Sequence, residues 1–182
     1  MNDIGMAADI LRARHCALND ALVTGPATPV MDQVLELLPA AAGSDFPEEE
    51  RDSLCETLHP GMVQEGRRAP AGGKRWTSRY LSVHILELFL RDEVSYDYYV
   101  GPDIESGLVE WWAEQGRREL APGEYRAFIA ILAFFLENKV LPEYEEYRPF
   151  GFYDEQIEDL QRCLAGLKGI ADGLAGGPSL RG

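Results

Sequence analysis

The chain has 182 residues, 46% of them hydrophobic, and 31 acidic against 17 basic side chains give a net charge of −14. A field of that sign repels nucleic-acid backbones and anionic membranes and attracts basic partners, so neither nucleic acid nor membrane is expected as a partner. The length suits one helical domain over residues 1–172, followed by a flexible tail over 173–182.

The charge is unevenly spread. Residues 1–86 hold 12 acids and 8 bases, 87–160 hold 18 acids and 6 bases, and 161–182 hold 1 acid and 3 bases. Cys16, Cys55 and Cys163 are odd in number and far apart, which points to a reducing cytoplasm rather than a disulfide framework. The first ten residues lack the basic start and apolar run of a secretory signal. The longest wholly apolar run, Ala127 to Leu136, is too short to span a bilayer. Abundant Ala, Leu, Gly and Arg suggest a GC-rich bacterial source.

Helical periodicity runs through nearly the whole chain. A first helix is predicted from about Asp3 to Val23, with Ile4, Leu11, Leu18 and Leu22 on one stripe and Gly25-Pro26 as its stop. A second starts at Thr28 as N-cap with Pro29 in the first turn, carries Val30, Val34, Leu37 and Leu38, and has Gly43 beyond its end. A third begins at Pro47, where Glu48, Glu49 and Glu50 suit the positive end of its dipole, and ends near His59-Pro60-Gly61. Residues 61–75 read as a loop. A fourth helix runs from Thr77 or Ser78 to about Arg91. After a short segment through Tyr99, Gly101-Pro102 opens a fifth, which Gly116 closes. Pro122 opens a sixth, ending near Lys139. Residues 142–153 are an aromatic, acidic connection, and a seventh helix runs from about Asp154 to Ala171 with Ile157, Leu160, Leu164 and Leu167 on one face. There is no alternating strand pattern of useful length. The sixth helix is apolar on most sides, with only Arg126, Ala130, Ala133 and Glu137 as a small-or-polar stripe. The fold class is therefore all-α: a single-domain bundle of about seven helices around a central apolar helix over about 122–139.

The stretch Asp92 to Trp112 is the densest in both aromatics and acids. Tyr96, Tyr98, Tyr99, Trp111 and Trp112 sit among Asp92, Glu93, Asp97, Asp103, Glu105 and Glu110 with no Lys or Arg between them. Aromatics supply rigid contact area and carboxylates supply charge, which together suit a basic protein partner. Ile104, Leu108 and Trp111 share one side of the fifth helix, so Trp111 is expected in the core and Trp112 at the surface. The bland alternative is that the tyrosines rim the core and the acids are solvated. Glu143-Tyr144-Glu145-Glu146-Tyr147, with Phe150 and Phe152, repeats the composition and would widen the patch.

The fourth helix presents Leu81, Ile85, Leu88 and Phe89 on one side and Tyr80, His84, Glu87 and Arg91 on the other. His84 and Glu87 have the spacing of an acid–base pair in a pocket. The plain alternative is a solvated polar face with a Glu87–Arg91 pair. Other constellations are weaker. His15 lies within the apolar stripe of the first helix and reads as a core histidine. Cys55 and His59, with His15 or Cys16, lack the paired short spacings of structural zinc. Glu56-Thr57-Leu58-His59 matches a di-iron motif once, without the second copy that such bundles need. Arg67, Arg68, Lys74, Arg75 and Arg79 cluster near Gly72-Gly73. A phosphate loop would need glycine at position 68 and Ser or Thr at 75, where arginines stand. No metal and no cofactor are expected.

Two resemblances follow from short motifs. Gly73-Lys74-Arg75-Trp76, Ser95-Tyr96-Asp97-Tyr98-Tyr99 and Leu120-Ala121-Pro122-Gly123-Glu124, spanning residues 73–137, are similar to a bacterial family of uncharacterised helical proteins. This chain differs from that family in having Val100-Gly101-Pro102 rather than a proline sooner after the tyrosines. The resemblance implies a helical fold and no activity. Tyr98-Tyr99, then Ser106-Gly107-Leu108-Val109 and Trp112, resembles the immunity proteins of nuclease bacteriocins. Those small, acidic, helical proteins hold a toxin through adjacent tyrosines and carboxylates.

The expectation from the sequence is a non-enzymatic, cytoplasmic interaction module, immunity or inhibitor-like. Tyr96, Asp97, Tyr98, Tyr99, Asp103, Glu105 and Trp112 would meet a basic protein such as a toxin. The alternative is a small helical enzyme or ligand-binding protein with a pocket at Tyr80, His84, Glu87 and Arg91.

Overall fold

Helix accounts for the regular structure wherever the chain is described. The structure is a computed structural model that describes residues 30–43, 77–90 and 104–175, and every regular element among them is helical. The fold class is all-α. By its contacts the chain separates into two units, Met1–Tyr98 and Tyr99–Gly182, where the sequence suggests a single domain. The helices expected over 3–23 and from 47 to 59, the loop 61–75 and the segment 92–99 lie outside the described residues.

In the first unit, α1 (Val30–Ala41) packs against α2 (Ser78–Leu90). Val34, Leu37 and Leu38 of the expected α1 stripe are buried, joined by Met31 and Ala41. Pro39 lies in the last turn and has no N–H to offer the carbonyl of Leu35, and the helix stops two residues later. The expected cap at Thr28 and Pro29 lies outside the described residues. The start of α2 is as expected: the Thr77 hydroxyl oxygen accepts the Tyr80 N–H at 3.1 Å, a side-chain N-cap. Between the helices the Ser82 hydroxyl lies 2.9 Å from both the Ser78 carbonyl and Met31 Sδ, so its buried polar group is satisfied. The solvated polar face expected of α2 is not found. Val83, Leu86, Glu87 and Leu90 are buried along with Leu81, Ile85, Leu88 and Phe89. The reason is in the sequence: Val83, Leu86 and Leu90 are a second apolar row at helical spacing, and they flank Glu87.

The second unit contains α3 (Ser106–Glu119), α4 (Pro122–Phe135), a π-helical turn (Leu136–Val140), α5 (Leu141–Tyr147), a 3₁₀ turn (Arg148–Phe150) and α6 (Asp154–Ala175). α4 packs against both α3 and α6, and α3 also meets α6. Pro122 sits in the first turn of α4, and the Glu124 carboxylate accepts the Ala121 N–H at 3.4 Å. Ala127, Phe128, Ile129, Ile131, Leu132, Ala133 and Phe135 are buried, which places Ala133 of the expected small-or-polar stripe inside the core.

Gly116 does not end the fifth predicted helix. It lies inside α3, which continues to Glu119, and the Leu120 N–H still bonds to the Gly116 carbonyl at 3.0 Å. A methyl group on Gly116 would lie 2.4 Å from Cδ1 of the fully buried Phe128 ring. The missing side chain lets the α3 backbone rest directly on that ring. Val109, Trp112, Ala113 and Gly116 therefore make the buried face of α3.

The sixth predicted helix also runs further than expected. Leu141–Tyr147, most of which falls in the connection expected over 142–153, is helical and continuous with α4 through the π turn. Pro142 explains the wider turn. It has no N–H for the Asn138 carbonyl, and its ring would collide there in a regular α-helix. Leu136 and Val140 point inward from the turn, while the exposed Glu137 bridges to Lys168 of α6 at 2.6 Å. On α6, Ile157, Leu160, Cys163 and Leu167 are buried, whereas Leu164 of the expected stripe is only partly covered. The helix passes Gly173, where the flexible tail is predicted to begin, and continues to Ala175.

Gly116→Ala is expected to destabilise the protein by about 1–3 kcal/mol through overpacking, despite the higher helix propensity of alanine. Chemical denaturation measures this. The loss should be smaller in a Phe128→Leu background than the two single effects predict, because the collision partner is gone.

Candidate interaction surface and cleft

The sharp reversal between α5 and α6 is built from aromatic residues. Gly151 follows the 3₁₀ turn in the left-handed region at φ 74°, with its N–H bonded to the Arg148 carbonyl at 2.9 Å. Tyr153 is also left-handed, at φ 68°, a conformation that costs a non-glycine residue of order 1 kcal/mol. Its ring is gripped edge-on by Tyr144 at 5.4 Å and Tyr147 at 5.9 Å, and its carbonyl accepts the Ile157 N–H at 2.9 Å. These contacts hold the strained residue in place. The outcome is a corner on which Phe150 is 72% exposed, Phe152 60% and Tyr147 42%.

Acidic groups surround this corner. Glu146, Asp154 and Glu155 are exposed. Arg148 is held by Glu145 at 2.9 Å and approaches Asp154 at 3.7 Å. Burial pushes the Glu143 carboxyl above the usual range, opposed by Lys139 and reinforced by Glu146. The buried Tyr144 hydroxyl donates to the Ile104 carbonyl at 3.1 Å, tying the corner to the start of α3 beside the exposed Glu105. The fold thus brings the Ile104 backbone to Tyr144, a neighbourhood that chain order alone does not supply.

The two tryptophans are reversed relative to expectation. Trp112, expected at the surface, is buried at 7% exposure, and Trp111, expected in the core, is 48% exposed. The face of α3 is centred on Gly116, and counting back by helical steps gives Trp112 and Val109, not Trp111. A reading that treats glycine as a stop signal misses that centre. Tyr96, Asp97, Tyr98, Tyr99, Asp103 and Arg91 lie outside the described residues, as do His15, Cys16, Cys55, Glu56, His59, Arg67, Arg68, Lys74 and Arg75.

In the first unit, His84 Nδ1 lies 3.6 Å from Glu87 Oε2, with both side chains largely buried. Tyr80 stacks on His84 at 6.2 Å, and its hydroxyl pKa is raised by burial and by the Glu87 charge. His84 and Glu87, which the pocket reading would pair, thus lie within reach of each other, and Arg91 of the plainer Glu87–Arg91 reading lies outside the described residues. Among the described residues no group of His, Cys, Asp and Glu could hold a metal, and no helix is long and apolar enough to cross a membrane.

A cleft of about 840 Å³, not anticipated from the sequence, lies between α3 and α6 beside Tyr125 of α4. Ala113, Leu167 and Ile170 supply its apolar wall, and Glu110 faces it alongside Cys163. Glu114 is bonded by both Arg117 and Arg118 at 2.9 Å, which hold its carboxyl below the ordinary range. Arg162 pairs with Asp159 on the opposite helix. The Cys163 thiol is pushed up to about 11 by burial and by the Glu110 charge. It is therefore protonated and a poor nucleophile near neutral pH. The signal for this cleft was present in α6 as Gly166, whose surroundings are open, next to the apolar Leu167 and Ile170.

Comparison of the chain with protein-family models, with curated proteins and with solved structures finds no match.

Cys163 provides a pH test. Its folded pKa lies above the value of 9.0 for an ordinary thiol, so its contribution to stability is present below about pH 9 and is lost as pH rises through about 11. Denaturation midpoints at pH 8 and pH 11 should fall less for Cys163→Ala than for the wild-type protein. Equal falls would show that this thiol does not titrate as described.

Proposed function

We propose that the chain is a non-enzymatic protein-interaction module that presents an acidic aromatic surface to a basic partner, in the manner of an immunity or inhibitor-like protein. The observation that carries the reading is the corner at 147–153, where Tyr147, Phe150 and Phe152 are exposed and Tyr153 is held in a left-handed conformation against the rings of Tyr144 and Tyr147. Pre-ordered aromatics lose little entropy on binding, and isolated exposed phenylalanines of this size are favourable anchors when a partner desolvates them. The surrounding carboxylates would steer a basic partner and set its orientation. Tyr96, Asp97, Tyr98, Tyr99, Asp103 and Glu105, singled out by composition, are further partner contacts in this reading. Trp112 is replaced as an anchor by Trp111. The mechanism is steric and electrostatic occlusion of the partner. The reading takes the whole chain as a bundle of about seven helices around the apolar helix over 122–139, working in the bacterial cytoplasm.

The test is affinity capture with the full chain, identification of the bound proteins and titration with each purified candidate. A basic protein should bind saturably, lose at least tenfold in affinity to Phe150→Ser with Phe152→Ser, and bind more slowly as salt is raised from about 50 to 300 mM. A partner that is acidic, or that binds the double variant as tightly, would overturn the reading.

A second reading rests on the buried His84–Glu87 pair beneath Tyr80. A small helical enzyme or ligand-binding protein would use His84 as a general base oriented by Glu87. It predicts that His84 imidazole resonances shift saturably when a small-molecule ligand is added and that Glu87→Gln weakens that response. Resonances unmoved by a broad metabolite panel would remove it.

A further inference from the structure

The cleft between α3 and α6 is a second candidate site, independent of the aromatic corner. Its volume of about 840 Å³ lies in the range of small-molecule sites. Its charges do not cancel evenly. Arg117 is taken up by Glu114 in a two-pronged bond, and Arg162 by Asp159. Glu110 faces the cleft with no described cation paired to it. Beside it are Ala113, Leu167 and Ile170, the last 41% exposed, and the Cys163 side chain. One carboxylate without a counterion, next to an apolar wall, complements a cation carried on an apolar stem. We propose that this cleft binds a small organic ammonium, with its charged head at Glu110 and its apolar part over Ala113, Leu167 and Ile170.

Selectivity for charge follows from the pairing. An anion would meet Arg117 and Arg162 only by displacing carboxylates that already hold them, and would face the repulsion of Glu110 and of the whole −14 chain. A neutral alcohol of the same length would gain the apolar wall alone. The thiol of Cys163 is consistent with this: its ionisation is disfavoured by burial and by Glu110, so it adds no negative charge beside Glu110 at neutral pH.

The experiment is calorimetric titration of the full chain at pH 7 with hexylammonium, hexanoate, hexanol and the blocked amino acid N-acetyl-lysine methylamide. Hexylammonium should bind saturably, at least tenfold tighter than hexanoate or hexanol, and more weakly as salt rises. Glu110→Gln should lower its affinity at least tenfold. Gly166→Leu is the second variant: Gly166 lines the cleft and an added Cβ there meets nothing within 4 Å, so the larger residue should narrow the cleft and weaken binding. Both variants should unfold at or above the wild-type temperature. Equal binding of hexanoate, undiminished binding by Glu110→Gln, or no binding of hexylammonium would each overturn the proposal. Tighter binding of the blocked lysine would overturn it in favour of a partner protein's side chain. None of these outcomes depends on Phe150 or Phe152, so failure here leaves the proposed interaction surface untouched.

Discussion

The second unit depends on a close approach of backbone to ring. Gly116 has no side chain, and the Phe128 ring occupies the space where one would be. That contact sets which side of α3 faces α4, and every other feature of α3 follows from it. Val109 and Trp112 turn inward, and Trp111 turns outward. The row Ser106, Glu110, Ala113, Glu114 and Arg117 is left facing α6 across the cleft. A glycine that reads locally as a helix breaker is here a spacer. Its propensity cost of about 1 kcal/mol is offset by burial of a phenylalanine against close-packed neighbours, worth about 1.5–3 kcal/mol.

A second constraint operates at the other end of α4. Pro142 interrupts the hydrogen-bond ladder, and the helix responds by widening through the π turn rather than by stopping. The apolar residues on either side explain that choice. Leu136, Val140 and Tyr144 are all buried, and ending the helix at the proline would expose them. Because the helix persists, Tyr144 reaches both the Ile104 carbonyl and the ring of Tyr153. The strained corner and its outward phenylalanines thus depend on a helix that survives its own proline.

Charge is distributed differently over the two surfaces that result. Around the aromatic corner the carboxylates outnumber their cation, so the surface field remains strongly negative. Along the cleft Arg117 and Arg118 share Glu114, Arg162 is held by Asp159, and Glu110 is the lining carboxylate with no described cation bonded to it. One surface suits a broad, salt-sensitive encounter with a large basic partner. The other suits a single positive group on an apolar stem. The His84–Glu87 pair has a third character, since both side chains are largely buried.

The sequence by itself determined the all-α class, a helix start at Thr77 or Ser78, the Pro122 start and the buried stripes through Val34, Leu37 and Leu38 and through Ile157, Leu160 and Leu167. Caps and 3.6-residue periodicity are local, so they can be read from neighbours in the chain. It also placed His84 beside Glu87, because three residues along a helix is a fixed geometry. Only the tertiary structure decided the roles of Gly116, Pro142 and the two tryptophans. A glycine or proline signals a break when local propensity is weighed alone, and it becomes an interior residue when packing on both sides outweighs that cost. The meeting of Ile104 with Tyr144, and of Glu110 with Cys163, joins residues far apart in the chain. Such meetings depend on how helices stack, which side-chain spacing within one helix does not specify.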